Sequence, residues 1–340
     1  MKTLLLLTLA LISQAAPPDA ASAAWNAASA LKGKADYAGA ATAFERYSVE
    51  FSGSPRATEA LVEAGVCWFS DGRSKLEAHR VTAGARASFE LSLARLDKVT
   101  AEHKDSPLSS RAQYMKGSVR LFMGELEAAR QSYAAVLETF SVDRSYVGKA
   151  LERHSAVQRH LLRPREALSE MQRWVKEFGE PKDTLAAVNK QIALTRKLEK
   201  PAPTYQAESW IQGEPAPLEL LGGHVVALYF FASWCPNCPK ETPYLVDLER
   251  RYAERGFKLI GVTNNNKGQT AEAMGAYLRE KELTFPVMMD SGQTAQSYGA
   301  TNIPFVALID TEGRLRWADN PASLSDWTVE ALLEGRVKVK

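Results

Sequence analysis

Two cysteines separated by two residues carry the most distinctive chemistry in this sequence. Cys235 and Cys238 enclose Pro236 and Asn237, and Trp234 precedes them. Residues three apart on a helix lie on one face, so the two sulfur atoms can meet. Such a pair can attack an external disulfide through a mixed disulfide and then close a disulfide of its own. The spacing therefore predicts a thiol-disulfide exchange site.

The sequence around the pair predicts how it is activated. Val225 to Phe231 is a continuous apolar run, typical of a strand buried on both faces. We expect a helix from Pro236 to Arg255 to follow, with Pro236 in the first turn, where a missing N–H costs nothing. The positive end of the helix dipole lowers the pKa of a cysteine at the helix start. We therefore predict an exposed, nucleophilic Cys235 and a resolving Cys238 one turn deeper.

The same spacing also occurs in zinc sites, which need further cysteine or histidine ligands. Only His224 lies near the pair, because the other histidines and Cys67 belong to the N-terminal half. A strand followed by CxxC and a helix favours redox chemistry, so we predict no metal and no cofactor. Cys67 lies in an apolar helical segment, where a free cysteine usually behaves as a small buried hydrophobe.

Two regions of different character surround these residues. From Ala23 to Leu198 the apolar residues recur at helical spacing, whereas Lys200 to Thr204 contains two prolines that end the pattern. Beyond this boundary, strand-like and helical segments alternate, which predicts a mixed α/β sheet covered by helices. The further strands are expected at 257–263 and 305–310, and the further helix at 270–281. Because the boundary is rich in proline, we expect few contacts to cross it.

The N-terminal region repeats one pattern four times. Large and small residues recur at fixed offsets that lie on one helix face, with a small residue where a neighbouring helix must approach. Each copy is therefore predicted to be half of a helix hairpin. The copies are Tyr37/Ala40/Phe44/Phe51, Phe89/Ser92/Leu96/His103, Leu126/Ala129/Tyr133/Phe140 and Pro164/Ala167/Met171/Phe178. With Gly117 and Gly124 before it, the third copy resembles a tetratricopeptide repeat, and the first copy does so too.

The first fifteen residues are typical of an export signal. Lys2 supplies the positive charge, Leu4 to Ile12 the apolar run, and Ser13 to Ala15 a small-residue cleavage site. The apolar run is much shorter than the about 20 residues that span a bilayer. We predict cleavage near Ala15, export to the periplasm and no stable membrane insertion. An uncleaved N-terminal anchor is the alternative.

A set of motifs in the C-terminal region carries a family resemblance. They are Gly213-Glu214-Pro215-Ala216-Pro217, Phe230 to Cys235, Glu241-x-Pro243, Phe285-Pro286-Val287 through Asp290, Tyr298-Gly299, Ile303-Pro304 and Glu312-Gly313. On these residues, the region from about Tyr205 to Gly335 resembles a thioredoxin-fold domain of the TlpA/ResA type.

The resemblance implies roles for residues outside the cysteine pair. It implies a cis peptide bond at Ile303–Pro304 facing the dithiol, so that the backbone of Ile303 can pair with an extended substrate. Glu241 matches a position whose carboxylate lies near the buried thiol and moves its proton. Trp234 would shield the dithiol and contact the substrate. We therefore expect catalysis by Cys235, Cys238 and Glu241, and substrate binding by Trp234, Ile303 and Pro304.

Three features depart from the family pattern. Tyr229 stands six residues before the first cysteine, where the family often has Asn or another polar residue. Pro239 directly follows the second cysteine and is expected to loosen the first helical turn. The segment after Trp317 is short for the last strand and helix of the family.

The sequence as a whole predicts a multidomain chain with four segments. These are a signal peptide at 1–15, an all-α repeat domain resembling tetratricopeptide repeats at 20–199, a linker at 200–210 and an α/β thioredoxin-fold domain at 211–340. With 24% charged residues and a net charge of +2, the composition gives no nucleic-acid footprint. We expect no nucleic-acid partner.

The expected function is an exported thiol-disulfide oxidoreductase that reduces or exchanges protein disulfides. It would work with an unidentified electron donor or acceptor protein, and the helical repeats would recruit a partner. Because no cation stands between the cysteines, we expect a reducing couple, more negative than about −200 mV. A repeat scaffold with a vestigial redox domain is the alternative. A peroxiredoxin-type peroxidase ranks lower, because it needs Thr or Ser and Pro where the chain has Ala232 and Leu228.

Overall fold

The computed structural model describes residues 18–77, 80–179, 182–205 and 207–335. The predicted export signal at residues 1–15 lies outside this described part. Within the described residues, no helix is both long enough and apolar enough to span a bilayer.

Nine helices form the N-terminal region of the described chain, and consecutive helices pack on each other. The first three residues of each copy of the repeat pattern lie on every second helix, so each copy belongs to one half of a helix pair, as predicted. The helices are α1 (Pro18–Gly33), α2 (Tyr37–Glu50), α3 (Ala57–Ser74), α4 (Ala83–Glu102), α5 (Pro107–Phe122), α6 (Leu126–Glu138), α7 (Arg144–His160), α8 (Pro164–Phe178) and α9 (Lys182–Thr195).

The small residues of the pattern mark the places where helices approach closely. Ala40, Ala129 and Ala167 are completely buried. A Cβ atom at Gly117 of α5 would lie 2.6 Å from the ring of Tyr133 on α6. Glycine therefore allows these two helices to pack at this distance.

The C-terminal region is a six-stranded mixed sheet with four helices among its described residues. The sheet order is β1-β4-β3-β2-β5-β6, in which β2, β3 and β4 are parallel and the other neighbouring pairs are antiparallel. The elements are β1 (Ser209–Gln212), β2 (Val225–Phe230), α10 (Cys238–Tyr252), β3 (Phe257–Asn264), α11 (Ala271–Glu280), β4 (Val287–Asp290), α12 (Gln293–Tyr298), β5 (Phe305–Ile309), β6 (Leu315–Asp319) and α13 (Asp326–Leu333).

Both faces of this sheet are covered, which explains the continuous apolar run of β2. Every residue of β2 is buried. Leu248 of α10 and Val329 of α13 belong to the core on one face, whereas Tyr298 of α12 belongs to the core on the other. The predicted α/β architecture is therefore confirmed.

The helical region forms part of both sheet cores, so the expectation of few contacts across the boundary was wrong. Leu194 of α9 and the following Leu198 pack in the core with Leu228 and Phe230. Leu162, between α7 and α8, joins the core on the opposite face. These contacts bury apolar surface that would be exposed in either region alone.

The proline-containing segment itself pairs with the sheet edge. The N–H of Glu199 donates to the carbonyl of Leu315 at 2.7 Å, and the N–H of Ala202 donates to the carbonyl of Gly313 at 2.8 Å. Proline favours extended backbone, and extended backbone is the geometry that an open strand edge accepts. The same residues that end the helical pattern therefore fasten the segment to β6.

Candidate active site: a dithiol at the end of the central strand

The dithiol follows β2 but begins α10 later than predicted. Cys235 lies in a turn that its own N–H closes by donating to the carbonyl of Ala232 at 3.2 Å. The helix starts at Cys238, and Asn237 occupies the N-cap position without a side-chain hydrogen bond to the helix. The predicted helix start at Pro236 was therefore wrong. Pro239 consequently falls in the first turn, where no intrahelical partner exists for its missing N–H. For this reason the prediction that Pro239 loosens the turn was wrong too.

Cys235 and Cys238 form a disulfide, and the helix start faces the first sulfur. Their Cα atoms are 5.5 Å apart. The backbone N–H of Cys238 donates to Cys235 Sγ at 3.2 Å. An N–H donor together with the positive end of the helix dipole stabilises a thiolate at this position.

Both cysteines are buried in the disulfide form. Cys235 is 3% exposed and Cys238 has no exposure. The prediction of an exposed Cys235 was therefore wrong, although Cys235 is the more accessible of the two. Trp234 and Ile303 pack against the same core cluster.

Tyr229 and Thr242 fix the first turn of α10 through hydrogen bonds to its backbone. The Thr242 hydroxyl donates to the carbonyl of Cys238 at 2.8 Å, and the Tyr229 hydroxyl donates to the same carbonyl at 3.3 Å. The two hydroxyl groups are 2.9 Å apart. Burial raises the pKa of Tyr229 far above its ordinary value, so the phenol stays neutral. The sequence marked Tyr229 only as a departure from the family pattern, and its contacts show it anchoring the helix start.

Gln269 is a site residue that the sequence analysis missed. It is 5% exposed and follows β3 in an asparagine-rich loop. Its Oε1 accepts from the N–H of Ser233 at 2.8 Å and from the Ser233 hydroxyl at 2.7 Å. Its Nε2 donates to Thr263 Oγ1 at 2.6 Å and to the carbonyl of Asn264 at 2.8 Å. With all its hydrogen-bonding groups engaged, Gln269 fixes the backbone two residues before Cys235.

The same loop holds the side chain of Trp234. The indole N–H donates to the carbonyl of Asn266 at 3.1 Å, and Lys267 Nζ lies 4.0 Å from the centroid of the indole ring. This distance fits a cation–π contact. Trp234 and Ile303 line one cavity of about 650 Å³.

The structure places the other predicted site residues as follows. The Ile303–Pro304 peptide bond is cis, as the family resemblance implied. Pro304 is buried, and Glu241 is half-buried in the first turn of α10. The catalytic role of Glu241 and the substrate-binding roles of Trp234, Ile303 and Pro304 stay predictions.

His224 and Cys67 lie away from the dithiol. His224 precedes β2, whereas Cys235 follows that strand, so the two residues are at opposite ends of it. Cys67 is completely buried in α3, as predicted, and it forms no disulfide. Burial raises the pKa of the Cys67 thiol to about 11, which keeps the thiol protonated at neutral pH.

Comparisons with known proteins match the C-terminal region. Residues 198–318 match the AhpC/TSA family. The thiol-disulfide oxidoreductase ResA of Bacillus anthracis is 32% identical over 117 residues, which cover 34% of this chain and 65% of that protein. The chain thus spans slightly less than two thirds of the ResA relative.

Two further comparisons concern proteins from Bacillus subtilis, the first of them from strain 168. The sporulation thiol-disulfide oxidoreductase A is 28% identical over 125 residues, which cover 35% of this chain and 75% of that protein. The crystal structure of StoA has 26% sequence identity and a TM-score of 0.33, and the match covers 37% of this chain and 97% of that chain.

Proposed function

We propose that this chain exchanges disulfides with protein substrates through Cys235. Its thioredoxin-like C-terminal domain, with homologues that are thiol-disulfide oxidoreductases, supports this proposal. The contact between the N–H of Cys238 and Cys235 Sγ carries the proposal. It gives the first sulfur a donor that favours the thiolate, and the thiolate is the nucleophile in disulfide exchange.

The reaction that we propose has two exchange steps. In the reduced protein, the Cys235 thiolate attacks a substrate disulfide, forms a bond to one substrate sulfur and releases the other as a thiolate, which takes a proton. Cys238 then loses its proton and attacks Cys235, which releases the second substrate sulfur and closes the Cys235–Cys238 disulfide. The substrate gains two electrons, and a separate donor protein must reduce the dithiol again. Glu241 would accept the proton of Cys238.

The neighbourhood of the dithiol supports a polypeptide as the substrate. Trp234 and Ile303 pack against the core cluster that contains the cysteines, and both line a cavity of about 650 Å³. An extended substrate would lie across this cavity, pair with the backbone of Ile303 and pack on Trp234 and Pro304. Because the cysteines are buried as a disulfide, a substrate would reach them from the side of this cavity.

The proposal also covers the cellular compartment, the direction of electron flow and the recruitment of a partner protein. The pattern of residues 1–15 supports export to the periplasm, where disulfides persist. We propose a reducing couple, more negative than about −200 mV, because no cationic residue stands between the cysteines. The helical region would recruit a partner protein. Equilibration with glutathione buffers, followed by Trp234 fluorescence, measures the potential, and a value near −120 mV would make the protein an oxidant instead.

A trapping experiment tests the proposed function. Cys238→Ser removes the resolving thiol, so polypeptide substrates should remain attached to Cys235 as mixed disulfides that a reductant releases. The double variant Cys235→Ser/Cys238→Ser is the matched control and should trap nothing. If Cys238→Ser forms no adduct with any protein disulfide, including insulin, the scaffold hypothesis replaces the oxidoreductase.

A further inference from the structure

A second cavity lies in the helical region, between α7, α8 and α9. Its volume is about 420 Å³. Its walls include Arg153 and Arg159 from α7, Trp174 from α8, and Lys190 and Gln191 from α9. The proposed exchange reaction uses none of these residues.

The walls of this cavity carry an excess of positive charge. Arg153, Arg159 and Lys190 are its cations, and Glu152 is the one carboxylate among its described lining residues. Burial raises the pKa of the Glu152 carboxyl group, and the positive charge of the adjacent Arg153 opposes that rise. The cavity therefore favours a negatively charged occupant.

Of the three cations, Lys190 is the one without a carboxylate partner among the described side chains. Arg159 Nη1 pairs with Asp319 at 3.0 Å. Arg153 interacts electrostatically with the adjacent Glu152 and with Tyr114, whereas Lys190 forms no ion pair with the carboxylates that the structure describes. Arg153 and Lys190 are exposed, so a ligand can reach both side chains from solvent.

Lys190 connects this cavity to the dithiol site. Asn302 lines the cavity beside Trp234. With its amide oxygen turned toward α9, Asn302 accepts a hydrogen bond from Lys190 Nζ at 3.3 Å and donates to the carbonyl of Thr301 at 2.8 Å. The two cavities therefore adjoin through one side-chain contact, next to the backbone of Ile303.

Arg159, on the α7 side of this cavity, contacts the sheet at the end where the dithiol lies. Its partner Asp319 ends β6 and pairs with Val306 of β5. Val306 lies two residues after Pro304. The positive cavity thus flanks the sheet end that carries the dithiol.

We propose that the groove between α7 and α9, from Arg153 to Lys190, binds an acidic segment of the same polypeptide whose disulfide reacts at Cys235. This inference rests on the proposed function. An extended chain advances about 3.3 Å per residue, so a substrate held at Ile303 passes Asn302 and reaches Lys190 within a few residues. Two weak subsites on one polypeptide reinforce each other, because binding at one raises the local concentration at the other.

Matched peptides test the groove. Each peptide carries one cysteine as a mixed disulfide with thionitrobenzoate, flanked on both sides by glutamates in one peptide and by glutamines in the other. The reduced full-length protein releases thionitrobenzoate as it attacks, and the colour gives the second-order rate constant. We expect the glutamate peptide to react about fivefold faster at low salt, as a few exposed ion pairs allow, and the preference to shrink as salt rises.

Variants connect that preference to the groove. Lys190→Glu should remove the preference for glutamate, and Lys190→Arg should retain it. Lys98→Glu, on α4 and outside the groove, makes the same change in net charge and should leave the preference intact. Equal rates for both peptides in the wild type, an unchanged preference in Lys190→Glu, or an equal loss in Lys98→Glu would each overturn the inference while leaving the proposed function in place.

Binding measurements separate this inference from the proposed function. The same peptides with serine in place of cysteine cannot react, and fluorescence anisotropy reports their affinity for the full-length protein. If the wild type exchanges neither cysteine peptide, the proposed function fails. In that case, tighter binding of the glutamate peptide that depends on Lys190 still supports the groove, and equal binding of both peptides overturns it.

Discussion

The helical region and the sheet region build their cores in different ways. In the helical region, buried apolar residues form separate clusters between neighbouring helices, such as those around Phe44 and Tyr133. In the sheet region, two clusters cover the faces of one sheet, and the helical region adds Leu162 to one and Leu194 to the other. The first kind of packing is local in sequence, whereas the second joins distant segments. Matched substitutions in the two regions should therefore have different effects on the dithiol.

The largest difference in disulfide-exchange activity is expected between substitutions of Cys235 and of Cys67. Cys235→Ser should abolish disulfide exchange without unfolding the protein, because it removes the attacking sulfur. Cys67→Ala should leave the exchange rate within about twofold and lower the free energy of unfolding by about 1 kcal/mol, because it removes only a buried packing atom. Insulin reduction and urea unfolding measure the two effects. A large loss of activity in Cys67→Ala would mean that the third thiol takes part.

A second difference concerns pH at the junction of the two regions. His160 is buried, its ring centroid lies 5.7 Å from that of Trp317 in a tilted arrangement, and its Nδ1 lies 3.4 Å from the Thr328 hydroxyl. Burial, assisted by the positive charge of Arg159, lowers the pKa of His160 from 6.5 to about 4. The folded state therefore binds fewer protons than the unfolded state between these values. This contribution to stability is complete above about pH 6.5 and is lost as the pH falls toward 4.

The size of the pH effect follows from the pKa shift. It amounts to up to about 3 kcal/mol of unfolding free energy. Urea unfolding at pH 7 and pH 4.5, followed by tryptophan fluorescence, should show a larger loss in the wild type than in His160→Gln, which cannot titrate. Equal losses in both proteins would show that His160 is not the group responsible.

A third test compares two buried glutamines. Gln269→Ala leaves the N–H of Ser233 and the hydroxyl of Thr263 without their partner, which should lower the free energy of unfolding by about 2 kcal/mol. It should also raise the pKa of the Cys235 thiol, because the turn no longer holds the sulfur at the helix start. Alkylation of the reduced protein as a function of pH measures that pKa.

Gln113 in the helical region is the matched control for Gln269. It is buried, and its Nε2 donates to the carbonyl of Ser132 at 3.2 Å. Gln113→Ala should destabilise the protein by about 1 kcal/mol and leave the alkylation profile of Cys235 unchanged. If both variants shift the profile, the effect is a general loss of stability and not the positioning of Ser233.

The smallest effect is expected for two buried tyrosines. Tyr229→Phe removes the hydroxyl that contacts Thr242 and the carbonyl of Cys238, and Tyr133→Phe removes a hydroxyl 3.1 Å from Ser118. Each change should cost about 1 kcal/mol of stability. Only Tyr229→Phe should also change the potential of the dithiol, because only Tyr229 contacts the first turn of α10. Equilibration with glutathione provides the measurement, and an unchanged potential in Tyr229→Phe would contradict this role.

Sequence patterns predicted the elements that depend on local periodicity. The apolar run from Val225 gave a strand buried on both faces, and the repeat pattern gave helices that pair with their neighbours. The helix start was placed two residues too early, because Cys235 first makes a turn with the carbonyl of Ala232 and the helix begins only at Cys238. No local periodicity encodes that turn.

Contacts between distant segments could not be predicted in the same way. Gln269 and Ser233 are 36 residues apart, and nothing in an asparagine-rich loop indicates which side chain will reach the dithiol. The prolines near residue 201 suggested a free linker, because their effect on the preceding helix is visible in the sequence while the open edge of β6 is not. The resemblance to tetratricopeptide repeats, the export signal and the recruitment of a partner stay predictions.

The pairing of Glu199 and Ala202 with β6 also protects the protein from self-association. An uncovered strand edge is a template for pairing with other chains, and this segment occupies that edge through Leu315 and Gly313. A fragment beginning at residue 211, the domain start expected from sequence, would expose the edge together with the apolar surface that Leu194 covers. Such a fragment would be prone to aggregate. The helical region and the segment that follows it therefore protect the sheet that carries the dithiol from aggregation.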